Sequence, residues 1–141
     1  QAANAMVIPV PPSVIDFAST VSFIDMARTT MKQLEQIAGR VKPAYNFIRL
    51  VGSRVDESKS MHREILSMMR QVFGGSMATS VLKTSAEIDN ASSRMKTVFE
   101  LDRPVTSHEV HNRCMKHLTD GCKEIETDVL RTWASRAGEA V

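Results

Sequence analysis

The sequence predicts an all-α protein: an antiparallel up-down-up-down four-helix bundle with long helices. Three observations predict it. Apolar residues recur at three- and four-residue steps along most of the chain. The six Gly and five Pro fall at a few places that divide those runs into four segments of similar length. No stretch alternates apolar and polar residues for long enough to read as a strand.

The first twelve residues are an extended lead-in, stiffened by Pro9, Pro11 and Pro12, because each proline removes a donor and disfavours helix before it. Gln1 to Ala5 read either as a cloning remnant, with Met6 as the native start, or as the result of a cut from a longer precursor. Residues 13–141 form the single bundle domain. Ser13 stands three residues before Asp16, the spacing of an N-cap with an acidic first turn. Phe17, Val21, Ile24, Met31, Leu34, Ile37 and Val41 then mark the apolar face of the first helix. Gly39 and Pro43 stop it.

Ala44, Ile48, Val51, Val55, Ser58, His62, Ile65, Met69 and Val72 alternate steps of four and three. A 3.5-residue period predicts coiled-coil-like packing of the second helix. Gly52 weakens it by about 1 kcal/mol relative to Ala, so a kink or break there is the alternative. Gly74 and Gly75 end this helix and Ser76 caps the next. Met77, Val81, Thr84, Ile88, Ala91, Met95 and Val98 mark the third inner face. Asp102, Arg103 and Pro104 connect to a fourth helix, where Thr106 and Glu109 match the capping box. Its inner face is Val110, Cys114, Leu118, Gly121, Ile125, Val129 and Thr132, and Gly138 ends it. Four helices of roughly 26–31 residues would each be about 40–45 Å long. Equal lengths and short turns make neighbours antiparallel.

A chain that is 43% hydrophobic can bury a core, and a net charge of +2 excludes a strongly basic nucleic-acid binder. The N-terminal apolar stretch is too short and proline-broken to span a membrane, and lacks a signal peptide's basic start. Cys114 and Cys122 are roughly 12 Å apart along one helix, too far to bridge. Free thiols fit a reducing, cytoplasmic compartment. His108, His111, Cys114 and His117 resemble a metal-ligand run, but steps of three swing them to opposite sides of one helix. The sequence therefore names no metal, no cofactor and no catalytic residue. G-x-S-x-G, H-E-x-x-H, G-x-G-x-x-G and the P-loop lysine are absent. His62 and Ser58 make a polar layer on the second seam, which can fix register; the plainer reading is that His62 reaches a solvent-exposed edge or a backbone carbonyl.

These readings predict a non-enzymatic interaction or scaffold domain with a protein partner or a second copy as its ligand, and no small-molecule substrate. Leu50, Met61 and Met68 return to nearly one angle on the second helix, beside its inner seam; they are the candidate partner-binding residues, the alternative being that they widen the core face. An alternative is a membrane-engaging bundle. Four long amphipathic helices, an apolar Pro-containing N-terminus and a basic second helix (Arg49, Arg54, Lys59, Arg63, Arg70) resemble in architecture the N-terminal bundles of necroptosis pseudokinases and fungal HeLo domains. That resemblance implies a membrane surface as partner. Interleaved acids and the lack of aromatic interleaving argue against nucleic acid.

Overall fold

Met6–Val10 is extended, as Pro9 favours, but it is a strand and not a lead-in. In the computed structural model, which describes residues 5–38 and 47–139, this strand (β1) pairs in parallel with Ile48–Val55 (β2). Met6 lies opposite Ile48 and Val10 opposite Gly52. Pro9 is tolerated because β1 is an edge strand, where a missing donor is not needed.

Parallel neighbours need a crossover, and helices supply it. Val14–Ala38 (α1) joins β1 to β2, and Ser60–Phe73 (α2) joins β2 to Met77–Lys83 (β3). Ala86–Ser93 (α3) and His108–Glu139 (α4) follow, and the sheet order is β1-β2-β3. The chain is thus a mixed α/β fold, with a three-stranded parallel sheet and four helices among the described residues, and not a four-helix bundle. The expected second helix is β2, a turn and α2; the expected third is β3, a loop and α3. The boundary expected after residue 12 separates β1 from its own crossover helix. Gly39, Val41, Pro43 and Ala44 lie outside the described residues.

Local signals explain the element ends. The Ser13 hydroxyl accepts the Asp16 amide at 3.1 Å, so α1 starts at its N-cap. Gly74 adopts φ +50°, a left-handed conformation that ends α2 at low cost. The fourth helix is capped one residue later than its T-x-x-E motif suggests: Ser107 Oγ accepts the Val110 amide, while Thr106 bonds elsewhere. Met95, after α3, takes φ +55° and is fully exposed. A side chain there strains the backbone with no packing in return. Met95→Gly is expected to stabilise the fold by about 1 kcal/mol in urea melts.

Strand alternation assigns the faces. Leu50 points to α1 and α2, within a core of Val10, Ile24, Leu50, Val55, Ile65, Leu66, Met69 and Met77. Phe17 of α1 meets Phe73 of α2 edge-to-face, with centroids 5.8 Å apart. Gly52 lets α2 approach: a Cβ there would stand 2.8 Å from Leu66 Cδ2. The residue read as a weak point of a helix is therefore a contact point of a strand. Arg49 and Leu82 point the other way, to Asp128 and Gly121 of α4. A second, smaller cluster of Ala91, Val98 and Cys114 joins α3 to the start of α4. The helical-bundle function classes, HeLo-type included, fall with the bundle. No helix among the described residues is long and apolar enough to cross a membrane.

Candidate functional site

Open parallel sheets place ligands outside the carboxyl ends of their strands, and here β2 and β3 end at Val55 and Lys83. Two adjoining clefts share Glu57, Lys83, Arg113 and His117: one of about 380 Å³ lies at those ends, and one of about 330 Å³ runs from Lys83 back along β3 to Thr79. Their floor comes from the turns that follow the strands. Thr84 N donates to Val55 O at 2.9 Å, which holds the two strand ends together. Asp56 caps its own turn by accepting from Ser58 N at 3.1 Å and Ser58 Oγ at 2.6 Å. Those bonds hold its carboxyl below the usual carboxylate range. Arg54, two residues before this turn, has φ +54° where the β2–β3 register shifts.

The wall of the groove is α4, which runs antiparallel to the strands. Its Val110, Arg113, Cys114 and His117 face the strand ends, and its Glu124 lies farther back along β3. Glu124 there accepts Thr79 N and Ser80 N, both at 2.8 Å. One half of the groove is basic: Arg70, Lys83, Arg113 and Lys116 face Glu57 and Asp120. Lys83 Nζ is 2.7 Å from Glu57 Oε2, and Lys116 Nζ is 2.7 Å from Asp120 Oδ2. The other half is mixed, with Val55, Ala86 and Val110 beside the polar groups of Thr84 and Ser85. His117 is half-buried between the halves, and its Nδ1 is buried with no hydrogen-bond partner. Burial, and then the Lys83 cation, push its imidazole pKa down.

The three candidate partner residues do not share a face. Leu50 is in β2 and fully buried, so the line through Leu50, Met61 and Met68 does not exist. Met61 and Met68 are on α2, 62% and 46% exposed. Met61→Glu is accordingly expected to change stability by less than about 0.5 kcal/mol, as read by urea melts. A loss above 2 kcal/mol would place Met61 in the core.

The histidine run is divided among different surroundings. His108 is exposed, His111 bonds Glu87, Cys114 is buried and His117 enters the groove. Among the described residues, no group of three or more His, Cys, Asp or Glu is arranged to hold a metal ion. His62 turns its Nδ1 to the Asp56 amide at 3.0 Å, an acceptor in the turn beside the groove. Sequence reasoning missed Glu57, Lys83, Arg113, Lys116 and Asp120 as a set. The signal that finds them is the parallel strands themselves, since Lys83 ends β3 and Glu57 stands two residues after the end of β2.

Fold and groove together define the class: an α/β protein with an open parallel sheet and a charged cleft at its strand ends. No family model matches the chain. It is 24% identical to the "Putative replication protein A" of Rhizobium rhizogenes over 133 residues, 94% of this chain. It is 25% identical to Protein SopA of Escherichia coli, strain K12 and O157:H7, over 99 residues, 70% of this chain. The chain spans 32% of the length of the first and 24% of the second.

Proposed function

We propose that this chain is a ligand-binding α/β portion of a protein that serves DNA replication, and that its groove takes a phosphate-bearing ligand of the nucleotide class. The observation that carries the ligand reading is that Lys83, at the carboxyl end of β3, shares one cleft with Arg113 and Lys116 of α4 and with Arg70 farther back along the strand. Phosphate oxygens suit the basic half, where Arg and Lys supply charge-assisted donors. The mixed half, with apolar walls and Thr84 and Ser85 at its edge, suits a flat organic group. The replication reading rests on the similarity to the Rhizobium rhizogenes protein across 94% of this chain. The proposal is of binding, and it assigns no chemical step to the groove.

Equilibrium dialysis with ATP, GTP, AMP and inorganic phosphate tests it. Saturable binding of a nucleotide is expected, weakening as salt screens the cations. Lys83→Ala is expected to weaken it by about tenfold, the effect of losing one charged contact of about 1.4 kcal/mol. No saturable binding of either triphosphate at millimolar concentration would overturn the ligand reading.

A further inference from the structure

Glu87 is a carboxylate with no exposed surface, in the first turn of α3, and no Lys or Arg pairs with it among the described residues. Burying a charge this way is unfavourable unless hydrogen bonds replace the lost water. Four do. Val105 N donates to Oε1 and Thr106 N to Oε2, both at 2.9 Å. The Thr106 hydroxyl donates to Oε2, and His111 Nδ1 lies 2.9 Å from Oε1. An ionised carboxylate only accepts, so the His111 Nδ1 carries its proton toward Glu87. With these bonds, led by that of the Thr106 hydroxyl, the Glu87 pKa is lowered to about 2.

All four donors belong to the segment that enters α4 or to its first turn. We infer that Glu87 is a positioning residue: a buried latch that docks the start of α4, and so sets where Arg113, Lys116 and His117 stand in the groove. Two features make the latch local. The apolar cluster under this end of α4 is small and separate from the sheet core. Small separate clusters open without global unfolding. The latch also needs an acceptor at both oxygens, because each meets a backbone N–H. A glutamine of the same size must present its NH₂ to one of those donors, so the nearest isostere fails where a merely space-filling role would accept it.

The inference rests on the nucleotide reading only for its consequence in the groove, and the test separates the two. The two thiols are reporters: Cys122 is exposed and Cys114 is buried in the small cluster. Thiol titration of the full chain with an aromatic disulfide is expected to show Cys122 reacting fast and Cys114 slowly. In Glu87→Gln the Cys114 rate is expected to rise at least tenfold while amide exchange at Leu50 and Val51 of β2 is unchanged. Thr106→Val, which removes one donor and adds no clash, is expected to raise it less, and it serves if Glu87→Gln does not fold. ATP affinity is expected to fall in the same order. A Cys114 rate unchanged in both variants would overturn the latch, as would a rise that only tracks faster exchange in β2. ATP that fails to bind the parent chain overturns the nucleotide reading and leaves the thiol result to decide the latch.

Discussion

Replacing Leu50 with Ala is expected to destabilise the fold by about 2–5 kcal/mol, the range for emptying a buried leucine site. Leu50 is in the middle strand, has no exposed surface, and packs in the cluster that contains Ile65, Leu66 and Met69 of α2. Neighbours from a sheet and two helices cannot all collapse into the space, so the upper half of the range is the better expectation. Urea melts should show a lower midpoint with little change in slope. The experiment also separates two architectures. On the face of a long helix, Leu50 would be half-covered, and its loss would act on association more than on folding. A change under about 1 kcal/mol would remove Leu50 from the centre of a sheet.

The same residue shows how far the sequence carries the fold. The helix starts and stops were legible where a local side chain makes them: Ser13 under Asp16, and Gly74 after Phe73. The strands were not. β2 is packed between helices on both faces, and its run IRLVGSRV mixes four aliphatic residues with two arginines without a clean period-two alternation. Any such run contains residues at steps of three and four, and Ile48, Val51 and Val55 satisfied a helical template without forming one. The discriminating signals were length and punctuation. Ile48–Val55 is bounded after Val55 by Asp56, whose side chain closes a turn, and Met77–Lys83 is bounded by Gly74–Ser76 and Thr84–Ser85. A strand of eight residues, a helix of fourteen and a strand of seven is the βαβ unit.

The groove was hidden for the same reason. Glu57 and Lys83 look like solvated charges on two helices until both helices become strands whose ends adjoin. His117 was legible only as part of a ligand run, and its helical angle correctly set it apart from His108. The buried latch at Glu87 had no local signal, since its four donors lie 18 to 24 residues downstream. Tertiary hydrogen bonds of that kind are readable only after the fold is known.

Arg49→Met is expected to cost about 3 kcal/mol, because it strands a buried carboxylate. Arg49 leaves the face of β2 opposite Leu50 and reaches Asp128 of α4 with Nε and Nη2, both 2.7 Å from Oδ2. The Arg49 and Asp128 side chains are only 17% and 7% exposed, so water cannot replace the lost donors well. Arg131 is the other cation near Asp128, at 3.4 Å, and its own side chain is mostly in solvent. That contact offsets a little of the loss, since exposed pairs contribute about 0–1 kcal/mol. Methionine keeps much of the arginine's apolar length, so the effect is electrostatic and not a cavity. The double variant Arg49→Met, Asp128→Leu removes both charges, and it is expected to recover most of the stability. Urea melts of the two single variants and the double variant complete a cycle whose coupling reads the pair directly. Losses that simply add would mean that β2 and α4 are not joined there, and the wall of the groove would lose its anchor at the far end of the sheet.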